Sequence, residues 1–119
     1  MKGQEMMLGP FLTSLIFILL LVACAEPQTS RVTLSLQEMR FSENEIEVLA
    51  GQPVTLRLNN KDGYAHAFDL DEFDIHLQLA AVETAEITFT PTRSGTFTFY
   101  CSSPGHQAAG MEGSLVVVP

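Results

Sequence analysis

The stretch Gly95-Thr-Phe-Thr-Phe-Tyr-Cys101-Ser-Ser-Pro-Gly-His106-Gln-Ala-Ala-Gly-Met111-Glu-Gly-Ser-Leu-Val-Val-Val118 decides how the whole chain is read. In its first part Thr96, Thr98 and Tyr100 alternate with Phe97, Phe99 and Cys101. Strand side chains point to opposite faces in turn, so this pattern puts the two phenyl rings and the thiol on one face, the buried one. Pro104 and Gly105 interrupt regular structure, Gly110 and Gly113 punctuate again, and Ser114 to Val118 reads as the next strand. The loop between these strands carries Cys101, His106 and Met111, with four residues between successive members.

A thiolate, an imidazole and a thioether form a soft donor set. Magnesium and calcium prefer oxygen, whereas copper suits a thiolate with imidazoles and a weak thioether. Such a centre needs a second histidine. His66, 35 residues before Cys101, lies in Ala65-His-Ala-Phe-Asp-Leu70, where His66, Phe68 and Leu70 share the inward face if the segment is a strand.

Each residue has a plainer reading on its own. Cys101 alone would be a small core residue, Met111 a gap filler and His106 a hydrogen-bonded surface residue. Their joint placement in one Gly/Pro-punctuated loop, with an inward-facing histidine upstream, favours metal over coincidence.

The pattern resembles the cupredoxins, the single-domain blue-copper electron carriers of the plastocyanin, azurin and auracyanin kind. The resemblance rests on Phe99-Tyr-Cys101, Pro104-Gly-His106, Ala109-Gly-Met111, the run from Gly113 to the final valines, and His66-Ala-Phe68. It covers most of the chain after residue 31. It implies one copper ion held by His66, Cys101, His106 and Met111, and an electron carrier rather than an enzyme. Many cupredoxins carry asparagine or serine directly after the first histidine to tie the ligand loops together. Ala67 stands there in this chain and cannot make that bond.

At 119 residues the chain has room for a single domain. Its apolar content is inflated by Phe11 to Ala23, where only Thr13 and Ser14 are polar. That run is shorter than the roughly 18–20 residues of a spanning helix and reads as a secretory signal. It ends in Leu21-Val22-Ala23-Cys24, which resembles the lipobox of bacterial lipoproteins, where cleavage precedes a lipid-bearing cysteine. The expected organisation is a signal peptide over residues 1–23, a polar tether over 24–30 with lipidated Cys24, and the cupredoxin domain over 31–119. An uncleaved anchor and an ordinary signal with an incidental cysteine are the alternatives. Acylation of Cys24 would leave Cys101 as the sole thiol, a liability in an oxidising compartment unless it is buried or metal-bound.

Lys2 and Glu5 cancel within the signal, so the net charge of −8 belongs to the remainder. Nucleic acid is excluded as a natural partner. An acidic surface favours a redox protein with a basic patch, through contacts that salt weakens; plain solubility is the bland reading of most of these charges.

Alternation continues through the rest of the domain. Val32, Leu34 and Leu36 face in from one strand, Ile46 and Val48 from a second, and Val54, Leu56 and Leu58 from a third. Asn59-Asn-Lys-Asp-Gly63 reads as a turn. Asp69, Asp71, Glu72 and Asp74 read as a solvated acidic connection, since their spacing lacks the glycine and distal glutamate of a calcium loop. His76, on the parity of Asp74 and Gln78, reads as exposed and not as a ligand. Ala85, Ile87 and Phe89 face in from a later strand. About seven or eight short strands without an amphipathic helix predict an all-β Greek-key sandwich or barrel.

Three functions fit this chemistry. The first is a membrane-tethered, extracytoplasmic, monomeric electron carrier cycling Cu(I)/Cu(II), with Pro104, Gly105, Ala108 and Ala109 forming a small-residue docking face around the His106 ring. The second is a carrier that delivers copper to an oxidase, and the third a metal-free β-sandwich binding module. Copper enzymes of the nitrite reductase and multicopper oxidase kind resemble repeated cupredoxin domains with extra histidine clusters, whereas this chain has one domain and one spare histidine. A binuclear copper site would need a second cysteine between Cys101 and His106, and none is there.

Overall fold

The computed structural model describes residues 2–4, 22–24, 26 and 28–119. The signal expected over 1–23 falls largely outside the described residues, as does part of the tether; Cys24 is described and exposed. Nine strands follow: β1 (Ser30–Gln37), β2 (Arg40–Phe41), β3 (Glu45–Leu49), β4 (Val54–Asn60), β5 (His66–Leu70), β6 (Ile75–Leu79), β7 (Thr84–Phe89), β8 (Gly95–Tyr100) and β9 (Glu112–Val118). A single 3₁₀ turn, Asp71–Phe73, links β5 to β6. The count exceeds the expected seven or eight because β2 is only two residues long and β6 follows so closely on the acidic turn that it does not separate by pattern.

The strands form two sheets in the orders β2-β1-β4-β7 and β3-β9-β8-β5-β6. β1 runs parallel to β4, and β3 parallel to β9; the other pairs are antiparallel. The chain passes repeatedly between sheets, so the first sheet is complete only with β7 and the second only with β9. Alternation dictates what faces the gap: Leu34 and Leu36 of β1 and Val54, Leu56 and Leu58 of β4 meet Ile46, Val48, Phe68, Phe99, Leu115 and Val117 of the other sheet, all buried.

Three phenyl rings anchor the strands that carry the donors. Phe68 stacks on Phe99 with centroids 5.4 Å apart, and Phe41 meets Phe99 edge-on at 5.1 Å. Phe68 lies two residues after His66 and Phe99 two before Cys101, so each ring shares a strand face with a donor. Burying each ring contributes roughly 1.5–3 kcal/mol, and the same packing holds the ends of β5 and β8 in register.

Strand β5 departs from simple alternation, because all five of its residues are buried. Asp69, read from sequence as part of a solvated connection, is almost fully buried. One carboxylate oxygen lies 2.9 Å from Nδ1 of His76 on β6, and the other accepts the Ser102 N–H at 3.2 Å. The remaining acids of the connection, Asp71, Glu72 and Asp74, are exposed or half-exposed as expected.

Candidate metal centre

His66 opens β5, and Cys101 follows directly on β8, the neighbouring strand in the same sheet. Both side chains are fully buried. His106 arrives on the loop after Cys101, in a run of turns stabilised by its own backbone. The His106 N–H donates to the Ser103 carbonyl at 3.0 Å, the Met111 N–H to the His106 carbonyl at 3.0 Å, and the Cys101 N–H to the Met111 carbonyl at 3.1 Å. Gly105 and Gly110 take φ of 80° and 99°, a region that a side chain would strain, and this lets the loop double back within so few residues. Cys101, His106 and Met111 are thereby bonded to one another through the main chain, and Met111 is fully buried.

The donor atoms converge. Nδ1 of His66 lies 3.2 Å from Nδ1 of His106, and Sγ of Cys101 lies 3.5 Å from the His106 nitrogen and 4.0 Å from the His66 nitrogen. Protein–metal bonds of about 2.0–2.1 Å to nitrogen and about 2.3 Å to sulfur, taken from zinc sites, cap the separation of two donors on one ion at about 4.1 Å for N and N and about 4.4 Å for S and N. All three separations fall inside those limits. No other cluster of three or more such donors occurs among the described residues.

Two of the donors are held by further hydrogen bonds. The second nitrogen of His66, Nε2, lies 2.7 Å from a carboxylate oxygen of Asp62, an acceptor, so the ring proton sits on Nε2 and the Nδ1 lone pair faces the cluster. The Ala67 N–H donates to Sγ of Cys101 at 3.2 Å. This main-chain bond is open to any residue but proline, so Ala67 still ties the two ligand segments together, and the Ser102–Asp69 bond adds a second tie. The hydrogen bond with His66 lowers the pKa of the Asp62 carboxyl against partial desolvation, and the Glu38 N–H acts in the same direction.

Tyr64 packs beside both imidazoles, its ring centroid 5.0 Å from that of His66 and 6.2 Å from that of His106. Partial desolvation, and then the neighbouring Asp62 carboxylate, raise the pKa of its phenol. Around His106, itself half-buried, Pro104, Gly105, Ala108 and Ala109 are all exposed. His76 stays apart from the donors on β6 and is 51% exposed, as its parity implies.

Asp62, Tyr64 and Asp69 were not legible as parts of the site. Asp62 sat inside a turn cluster, and only its position four residues before His66 hinted at a contact.

A cupredoxin-like domain model matches residues 11–117, almost the whole chain. The chain belongs to the cupredoxin-like family. Auracyanin-A of Chloroflexus aurantiacus is 30% identical over 122 aligned residues, covering 76% of this chain and 75% of the relative. Plastocyanin of Sambucus nigra is 32% identical over 91 residues, covering 66% of this chain and 88% of the relative. The solved structure of auracyanin A, a "blue" copper protein from Chloroflexus aurantiacus, superposes with a TM-score of 0.67 at 24% identity, covering 76% of this chain and all of the other. The all-β sandwich expected from the alternation pattern is the fold observed, and it takes the cupredoxin form that the resemblance implied. Copper is the cofactor of the family, and this cupredoxin's donors fit one such ion: two imidazoles, one thiol and a buried thioether on the same loop.

Proposed function

We propose that this chain is a mononuclear blue-copper electron-transfer protein, tethered by lipid outside the cytoplasmic membrane. The observation that carries the reading is the convergence of the His66, Cys101 and His106 donor atoms within 4.0 Å of one another in a largely buried site. His66 and His106 would bind through Nδ1, Cys101 through its thiolate, and Met111 as a weak fourth donor. Copper, when bound, supplies a one-electron couple between Cu(I) and Cu(II), and this donor set is acceptable to both states.

The protein's part is to hold the donors still. Three of them share one loop braced by its own hydrogen bonds, and the fourth starts a strand locked by Phe68 packing. Little has to move when the charge changes. Full burial of Cys101 excludes water from Sγ, while the half-exposed His106 ring leaves one edge of the site near solvent. Pro104, Gly105, Ala108 and Ala109 form the docking face in this reading, small exposed residues that let a redox protein approach closely. Net acidity elsewhere favours a partner with a basic surface.

The braced loop and buried thiol favour a retained ion over one passed on to an oxidase, and a single donor cluster among the described residues favours a carrier over an enzyme. Cys24, exposed at the end of the apolar segment, is the lipid attachment site in this reading.

The test is to add Cu(II) to the full chain and record the visible spectrum beside that of Cys101→Ser. An intense thiolate-to-copper band in the parent, lost in the variant, is the expected result. A parent without that band overturns the proposal. Ala108→Glu should keep the band yet slow electron exchange, and an unchanged exchange rate would remove the docking face. Acyl labelling of Cys24, absent in Cys24→Ser, checks the anchor.

A further inference from the structure

The carboxylate behind His66 is held with more care than a surface turn needs. Oδ2 of Asp62, which lies 2.7 Å from Nε2 of His66, also accepts the Glu38 N–H at 2.8 Å. The Asp62 N–H donates to Oδ1 of buried Asn60 at 3.0 Å, and the Asp62 carbonyl accepts the Val82 N–H at 3.0 Å. Asn60 in turn donates to the carbonyls of Tyr64 at 2.8 Å and Ala80 at 2.9 Å, tying the turn to the connection between β6 and β7.

The two N–H groups that reach Asp62 from other segments come from strained backbone. Glu38 and Met39 form the two-residue connection between β1 and β2 with φ of 52° and 57°, and Val82 has φ of 56°. Non-glycine residues at such angles cost of order 1–3 kcal/mol each and persist only where the surroundings impose them. Among the described residues only four non-glycine positions have positive φ, and three of these lie in the two turns that converge on Asp62. The Asp62 side chain is 11% exposed and the His66 side chain fully buried, so bulk water screens their contact poorly.

A full negative charge on the far side of a ligating imidazole acts differently from a neutral carbonyl in the same place. Both fix the tautomer, but the carboxylate also makes the ring a stronger donor and stabilises the site most when the ion carries its larger charge. Resting on the copper reading above, we propose that Asp62 is a positioning residue that holds His66 as an Nδ1 donor and biases the centre toward Cu(II), lowering its reduction potential. The two strained turns serve to keep this carboxylate in line with the ring.

Asp62→Asn keeps an oxygen able to accept from Nε2 and from Glu38 while removing the charge. The experiment loads the full-length parent and variant with copper, records the visible band, and measures Cu(II) and Cu(I) affinities separately by chelator competition, with the potential measured alongside. The expected result is a retained band, with Cu(II) affinity falling at least tenfold relative to Cu(I), equivalent to a rise of about 59 mV for one electron. Equal weakening of both states, or no change in either, overturns the proposal, since a purely structural contact would not distinguish them. A parent without the band defeats the copper reading instead.

If Asp62→Asn does not fold, the reduced parent alone decides. The ¹H–¹⁵N spectrum should show a downfield His66 Nε2–H protected from exchange, and an Nε2–H exchanging at solvent rates overturns the assignment.

Discussion

Gly113 on β9 lies directly opposite Phe99 on β8, and the space that a methyl group would need at position 113 is already filled by the tip of the phenyl ring. The Asn44 carbonyl oxygen closes the other side, 2.8 Å from where a Cβ would stand. Phe99 is fully buried and packs on both Phe68 and Phe41, so it has nowhere to retreat.

Gly113→Ala is therefore expected to destabilise the fold by about 1–3 kcal/mol, the usual cost of overpacking a dense core. Urea denaturation of the apo protein measures it. Because Phe99 stands two residues before Cys101, the copper-loaded variant should also show an altered visible band, whereas a change confined to stability would mean that the ring moves without disturbing Sγ.

Asn60 is the hub of the turn that presents Asp62 and Tyr64. Its buried carboxamide serves the carbonyls of Tyr64 and Ala80 and the Asp62 N–H. Asn60→Ala leaves these groups without that partner, and each buried group left unsatisfied costs about 1–3 kcal/mol. The expected outcome is a lower denaturation midpoint together with faster hydrogen exchange at Asp62. Asn60→Asp, which keeps the acceptor and loses the donor, should recover protection at Asp62 only.

His76 supplies a pH dependence. Its hydrogen bond to Asp69 comes first, followed by the charges of Asp69, Asp71 and Asp74, and together they raise its pKa above 6.5 despite some desolvation. A folded-state pKa above the unfolded one means that the protonated ring stabilises the fold. That contribution is complete below pH 6.5 and is lost as pH rises through the folded value. The stability gap between the parent and His76→Gln should be larger at about pH 5.5 than at pH 8.5, read from parallel denaturation curves. A gap that widens with pH would contradict the ion-pair geometry.

Metal removal should cost stability by mass action. Ligand binding to the folded state alone adds about 2.7 kcal/mol at a hundredfold excess over Kd, so the copper-loaded protein should melt well above the apo form. Cys101→Ser should melt with the apo protein whether or not copper is added. Met111→Leu, a swap of similar volume in a fully buried position, should retain the copper-dependent rise and shift the reduction potential.

What the sequence determined by itself was whatever is local. Strands β1, β3, β4, β7 and β8 each turn alternate apolar residues toward the core, and such a strand writes that fact into every second residue. The loop donors Cys101, His106 and Met111 were equally legible, because one short loop between two readable strands must bring them together. His66 was legible as an inward residue through its parity with Phe68 and Leu70.

Tertiary structure decided the rest. It set β5 between β8 and β6, where every residue is covered and alternation no longer separates core from surface, so Asp69 is buried against expectation. It brought Nδ1 of His66 to the loop donors across 35 residues and carried the Glu38 N–H to Asp62 across 24. Such contacts depend on how two sheets close on each other, a global packing outcome that leaves no periodic trace in the order of residues.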